Sequence, residues 1–286
     1  MTICTFRPQT EFCIWSTANS RMLTHLPIIS DKKFLMKIKL LMLPFSGGAA
    51  HVFNPFFDFA PSWLTLIPTD LPGHGRRFSE PLLTDIHAIV DDLLLQLSHE
   101  MTEPYAVYGH SFGAVLAYLL CRKTIAQGLP VPLHLFVSGR RSPTCSNDEV
   151  LHTLPAREFL QGVLSYGGIS QEILKEPELI KMLLPVLRTD FTAVENYIYR
   201  PEPPLQIPVT AMGGTEDHKV PFEQIIRWQD ITAHRLRAEK CVGGHFFPFL
   251  DPKKIMELVH DILCQVPQIS FSRPTSPVFF SKKNSN

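Results

Sequence analysis

The sequence predicts an α/β fold: a mostly parallel sheet flanked by helices, with a helical lid inserted late in the chain. Three observations carry that expectation. Apolar runs of strand length alternate with segments whose apolar residues recur every three or four positions. A glycine-bracketed serine, Gly109-His110-Ser111-Phe112-Gly113, joins one strand-like run directly to one apolar helix-like run. Finally, roughly seventy residues between the fourth and fifth predicted strands carry helical but little strand pattern, too many for a structureless loop.

The predicted strands are Ile38–Leu43, Leu64–Thr69, Tyr105–Tyr108, Leu133–Ser138, Ile207–Met212 and Leu236–Val242. A turn through Pro44–Gly48 and a helix should follow the first of them. Asp85–Ser98 places Ile86, Ile89, Val90, Leu93, Leu94 and Leu97 on one stripe, as an amphipathic helix requires. Ser111–Cys121 is apolar all round after its first turn, as befits a helix buried beneath a sheet. Glu158–Leu164, Pro177–Leu184 and Val186–Tyr199 read as helices of the insertion, with Pro185 between the last two as a break. Strands alternating with helices imply right-handed crossovers and parallel neighbours.

The 286 residues then divide into an unpatterned N-terminal extension (1–35), one α/β domain (36–266, its lid about 142–205) and a Ser/Pro/Lys-rich tail (267–286) that reads as disordered. One reading of the head is that the working protein begins at Met36. Lys and Arg number 27 against 27 Asp and Glu, which argues against a whole-protein nucleic-acid footprint. No apolar stretch reaches the ~18–20 residues of a membrane span, and no signal-peptide pattern opens the chain. Six scattered cysteines without a CxxC pair suggest neither a disulfide framework nor a zinc site. A cytoplasmic monomer without metal is the expectation.

The G-x-S-x-G between strand and helix has the context of a nucleophile elbow, with Ser111 as the nucleophile. A serine needs a base and the base an orienter, in the chain order Ser, acid, His. His245, in Gly243-Gly244-His245, is the candidate base. Asp217, just past the fifth strand, is the favoured acid; Glu216 competes and Asp251 is a weaker alternative. Oxyanion donors are expected from the backbone N–H of Phe112 and from that of Phe45 or Ser46, in the loop after the first strand.

The strings LPFSGGAA (43–50), LPGHGRRFSEP (71–81), YGHSFGA (108–114), LPAREFLQGVLSYGG (154–168), PELIKMLLPVLRTDF (177–191), PVTAMGGTEDHKV (208–220) and GGHFFP (243–248) together resemble the type II thioesterases. These are the stand-alone editing thioesterases of polyketide and nonribosomal peptide synthesis, members of the α/β-hydrolase superfamily. The resemblance spans about residues 38–265 and implies hydrolysis of acyl groups from the phosphopantetheine of carrier proteins. It implies Ser111, Asp217 and His245 as the triad and a mobile lid, whose Phe159, Leu183, Leu187 and Phe191 are the expected substrate-side residues. It implies no cofactor. Two positions depart from the family pattern: Phe45 stands where His or Tyr is common, and His74 where Arg is usual. Arg76, Arg77, Arg140, Arg141 and Arg188 are candidates for a carrier-docking patch, and Arg188 for an ion pair with Asp190. Two other readings stay open: a carboxylesterase or lipase acting on free esters, and a catalytically silent binding module.

Overall fold

The computed structural model describes residues 37–146, 149–168 and 175–266; the head (1–35) and tail (267–286) of the sequence reading lie outside the described residues. Six strands form one sheet: β1 (Ile38–Leu43), β2 (Leu64–Pro68), β3 (Tyr105–His110), β4 (Leu135–Ser138), β5 (Val209–Gly214) and β6 (Arg237–Cys241). Their order is β2-β1-β3-β4-β5-β6, and every neighbouring pair is parallel. The helices are α1 (Ile86–Leu97), α2 (Phe112–Ala126), α3 (Ala156–Leu164), α4 (Pro177–Glu195), α5 (Phe222–Ile225), α6 (Phe247–Leu250) and α7 (Pro252–Leu263).

Both faces of the central strands are buried, so these strands read as continuous apolar runs. Leu41, Leu43, Tyr105 and Val107 pack against α1 and α2. Their alternating neighbours Leu40, Met42, Ala106 and Tyr108 pack on the opposite face with Phe53, Phe56 and α7. Helix α1 starts where expected because the Asp85 side chain accepts from the His87 N–H (2.8 Å), capping it.

Several boundaries differ from the sequence reading, each for a local reason. β5 begins after Pro208, which has no N–H to give the ladder, although its carbonyl accepts from Leu135. The helix expected after β1 is present as a 3-10 helix, Ala50–Phe59, and it contains Pro55. Pro185 does not break the insertion: α4 runs unbroken from Pro177 to Glu195. An interior proline forfeits one helical hydrogen bond, a cost of about 3 kcal/mol. Apolar packing on both sides of it holds the helix, because Leu183, Leu184, Leu187 and Phe191 join Phe159, Leu160 and Val163 in a small separate core. Among the described residues no helix is long and apolar enough to cross a membrane.

The chain order reverses between β1 and β3, so a crevice opens beyond the carboxyl ends of these two strands, where parallel sheets place ligands. Leu43 pairs in register with Gly109, which sets the loop after β1 beside Ser111.

Candidate active site

Ser111 sits between the last residue of β3 and the first of α2 with φ 54° and ψ −112°, a conformation that costs a non-glycine residue free energy. The turn is held by the Ser111 N–H, which donates to the Ser138 carbonyl of β4 (2.8 Å). It closes only because Gly109 and Gly113 lack side chains. A Cβ at Gly109 would run into the Gly113 carbonyl, and one at Gly113 into those of Leu43 and Pro44.

The Ser111 hydroxyl donates to His245 Nε2 at 3.0 Å, and His245 Nδ1–H donates to Asp217 Oδ2 at 2.7 Å. Three distant chain segments thus converge at the sheet's carboxyl edge, after β3, β5 and β6. Asp217 is fixed from behind, its Oδ1 accepting from the N–H groups of Lys219 (3.0 Å) and Val220 (3.1 Å). The His245 and Asp217 side chains are almost wholly shielded from solvent, at 3% and 1% exposure. An edge-on Tyr166 ring 4.9 Å away and the Phe246 ring at 5.2 Å confine the imidazole. The competing acids are placed elsewhere: Glu216 is exposed, and Asp251 caps α7 by accepting from the Lys254 N–H (3.0 Å).

A second imidazole, His110, lies 5.2 Å from His245, ring to ring. Burial, reinforced by the neighbouring His245, holds its pKa well below the ordinary value, so it stays neutral. Its Nδ1 lies 2.9 Å from the Ser138 hydroxyl. No sequence signal separates His110 from the serine it precedes.

A cavity of about 50 Å³ opens onto Ser111 and His245. Phe45, Ser46 and Phe112 line it, and no hydrogen bond among the described residues engages their backbone N–H groups. Of the four insertion residues expected at the substrate, Leu187 and Phe191 line the cavity, whereas Phe159 and Leu183 do not. Phe159 is instead the buried centre of the small helical core, edge-on to Phe191 at 5.5 Å and beneath the Arg188 guanidinium at 4.5 Å. Val163, Tyr166 and Arg140 complete walls that the sequence reading did not assign. Burial draws the Arg140 pKa down to about 10, which leaves it a cation at neutral pH.

The arginines proposed as a docking patch are mostly occupied structurally. Arg77 binds Glu80 and Asp92, Arg188 donates to the His152 and Leu154 carbonyls, and Arg141 donates to those of Ser146 and Lys219. Arg188 does not pair with Asp190, which faces His74. Arg76 alone of the five combines a largely exposed side chain (84%) with its ion pair, to Asp70.

Residues 38–263 match the "Thioesterase domain" family. The gramicidin S biosynthesis protein GrsT of Aneurinibacillus migulanus is 33% identical over 226 residues, which cover 78% of this chain and 88% of GrsT. Among solved structures, ClbQ from the colibactin NRPS/PKS pathway superposes with a TM-score of 0.76 at 27% identity, covering 80% of this chain and 98% of ClbQ. YbtT, the type II thioesterase of the yersiniabactin NRPS/PKS pathway, gives 0.73 at 27% identity, covering 81% and 94%. With an α/β-hydrolase sheet, a serine at its elbow and a family match across nearly all the described residues, this chain belongs to the thioesterase family and is a thioester hydrolase.

Proposed function

We propose that Ser111, His245 and Asp217 are the catalytic triad of an editing thioesterase that removes acyl groups from phosphopantetheinyl carrier proteins of a peptide or polyketide synthase. The observation that carries this reading is the continuous hydrogen-bond line from Ser111 Oγ through His245 to Asp217, with its distances of 3.0 and 2.7 Å. The names of the relatives, all from such pathways, support the carrier-bound substrate.

In the proposed reaction His245 Nε2 takes the Ser111 proton as the oxygen attacks the thioester carbonyl. Asp217 keeps the Nδ1–H tautomer and stabilises the imidazolium that forms. The N–H of Phe112, with that of Phe45 or Ser46, receives the oxyanion. Collapse expels the pantetheine thiol, protonated by His245, and leaves an acyl-Ser111 ester. His245 then activates water, and a second tetrahedral intermediate releases the acid. A thioester has little resonance stabilisation and a good leaving group, so these side chains and water suffice. Helices α3 and α4 serve as the lid, and the narrow cavity favours short acyl groups.

The test is turnover of an acetyl-loaded carrier protein against the corresponding free ester. Ser111→Ala should abolish hydrolysis, and Asp217→Asn should lower kcat by about 10⁴, as loss of the tautomer-holding carboxylate does in serine hydrolases. Glu216→Gln should leave it within about two-fold. Full carrier hydrolysis by Ser111→Ala would end the assignment; a preference for the free ester would make the protein an esterase instead.

A further inference from the structure

The helix that walls the cavity is fastened to the loop that would hold the oxyanion. Asp190, on α4, is 1% exposed at its side chain, and its Oδ2 accepts from the Gly47 N–H at 2.7 Å. The same oxygen lies 3.0 Å from His74 Nε2, whose ring is 3% exposed. His74 Nδ1 faces the Pro72 carbonyl at 2.9 Å. A carbonyl and a carboxylate both only accept, so both ring nitrogens must donate, and His74 is an imidazolium. Burial opposes that charge. The Asp190 carboxylate outweighs it, aided by the Pro72 carbonyl and nearby Asp70, and raises the His74 pKa above its usual value.

Gly47 is pressed from a second point on the same helix. It holds φ +77°, and a Cβ there would lie 2.6 Å from Cδ2 of Leu187, one turn before Asp190. Gly48 N–H closes back on the Phe45 carbonyl at 2.8 Å, so Phe45–Gly48 is one tight turn. Where Gly47 is held therefore decides where the N–H groups of Phe45 and Ser46 point, and these residues line the cavity beside Ser111.

We propose that Asp190, with His74 as its fixed counter-charge, is a positioning residue that sets the oxyanion turn from the lid helix. The inference rests on the acyl-transfer reading above. It makes the oxyanion donor conditional on a seated α4: when the helix lifts, Gly47 loses both its hydrogen-bond acceptor and its apolar stop. Asp190 touches no reacting atom, so its effect must be felt where negative charge develops on the substrate oxygen and not in ground-state binding.

The experiment uses the whole chain, an acetyl thioester of N-acetylcysteamine, and a short alkyl boronic acid, which forms a tetrahedral oxyanion-like adduct on serine. Asp190→Asn should lower kcat by about 10–100-fold with KM within two-fold, since a displaced donor costs up to the loss of one. It should weaken boronate inhibition by a similar factor. His74→Gln should show the same split at about 3–10-fold, and it decides the matter alone if Asp190→Asn does not fold. Wild-type kcat and boronate affinity in both variants would overturn the proposal, as would losses that fall on KM or follow the unfolded fraction by circular dichroism. Ser111→Ala is run alongside: residual turnover there would sink the acyl-transfer reading itself, whereas its inactivity beside unaffected Asp190 and His74 variants would sink only this inference.

Discussion

Replacing Phe191 by Ala should lengthen the acyl chain this enzyme prefers. Phe191 lines the cavity on Ser111 and is itself held edge-on by Phe159 at 5.5 Å and Tyr166 at 6.2 Å. A water-sized group needs about 10–15 Å³ of such volume, so the 50 Å³ cavity admits roughly three to five heavy atoms. Acetyl to butyryl chains fit; hexanoyl does not without displacing the lid. Truncation at Phe191 opens space for about two further methylenes. Each is worth about 0.8 kcal/mol on burial, so together they contribute about 1.6 kcal/mol. At about 1.36 kcal/mol per tenfold, the hexanoyl-to-butyryl ratio of kcat/KM should rise about 15-fold. The assay is steady-state hydrolysis of a series of acyl-N-acetylcysteamine thioesters from two to eight carbons, by wild type and variant. The acetyl rate is the control and should move by no more than a few-fold. A ratio unchanged within a factor of two would refute the reasoning, because the acyl chain would then lie elsewhere than against Phe191.

Two further predictions concern stability. Ser111→Gly should be inactive yet more stable than Ser111→Ala, because glycine relieves a positive φ worth about 1–3 kcal/mol and gives back about 0.4–1 kcal/mol in unfolded-chain entropy; at about 2–4 °C per kcal/mol, thermal unfolding should show a higher Tm, and equal values would mean the elbow is unstrained. The raised His74 pKa means the folded state binds that proton more tightly than the unfolded chain does, so its stabilisation is full below an ordinary histidine pKa of about 6.5 and fades as pH rises through the folded value. The Tm gap between wild type and His74→Gln should accordingly be wider at pH 6 than at pH 9.5, and a gap that grows with pH would show that His74 is buried neutral.

How much of this was legible in the sequence depended on the range of the interaction concerned. Ser111, Asp217 and His245 each lie within four residues of a strand's carboxyl end, and strand, turn glycines and residue type are all local signals. Parallel topology then brings those three strand ends to one edge, which makes their meeting readable before any distance is known. The acid was most ambiguous between adjacent residues, and what separates Asp217 from Glu216 is the return of its own backbone: the Lys219 and Val220 N–H groups fold over one carboxylate, while the other stays exposed. The insertion was harder. Its helices were visible by period, but which faces meet the cavity depends on how they lie on the sheet. Phe159 on α3 and Phe191 on α4 are the same residue type, each among the apolar residues of its own helix, yet one fills the helical core and the other the cavity wall. The arginines were opaque for a similar reason: nothing in Arg77 or Arg188 announces the Asp92 carboxylate or the His152 and Leu154 carbonyls that engage them.

The position least legible of all is His74, one of the two at which the sequence reading has the chain depart from the pattern it resembles. His74 stands where Arg is usual, and on sequence alone the exchange looks like the loss of a charge. The structure argues the reverse. An arginine facing Asp190 would be a cation at every accessible pH, and His74 keeps the cation because its two ring nitrogens are both forced to donate. The exchange therefore preserves the ion pair and changes only its pH range: what a guanidinium holds permanently, an imidazole holds until its raised pKa is passed. Since Asp190 binds Gly47 through the same oxygen, the proposal has any loosening on deprotonation of His74 reach the Phe45–Gly48 turn. His74→Arg, if the longer side chain is accommodated, should restore an alkaline plateau in kcat that the wild type lacks, whereas a difference between them confined to low pH would disconnect the pair from the turn.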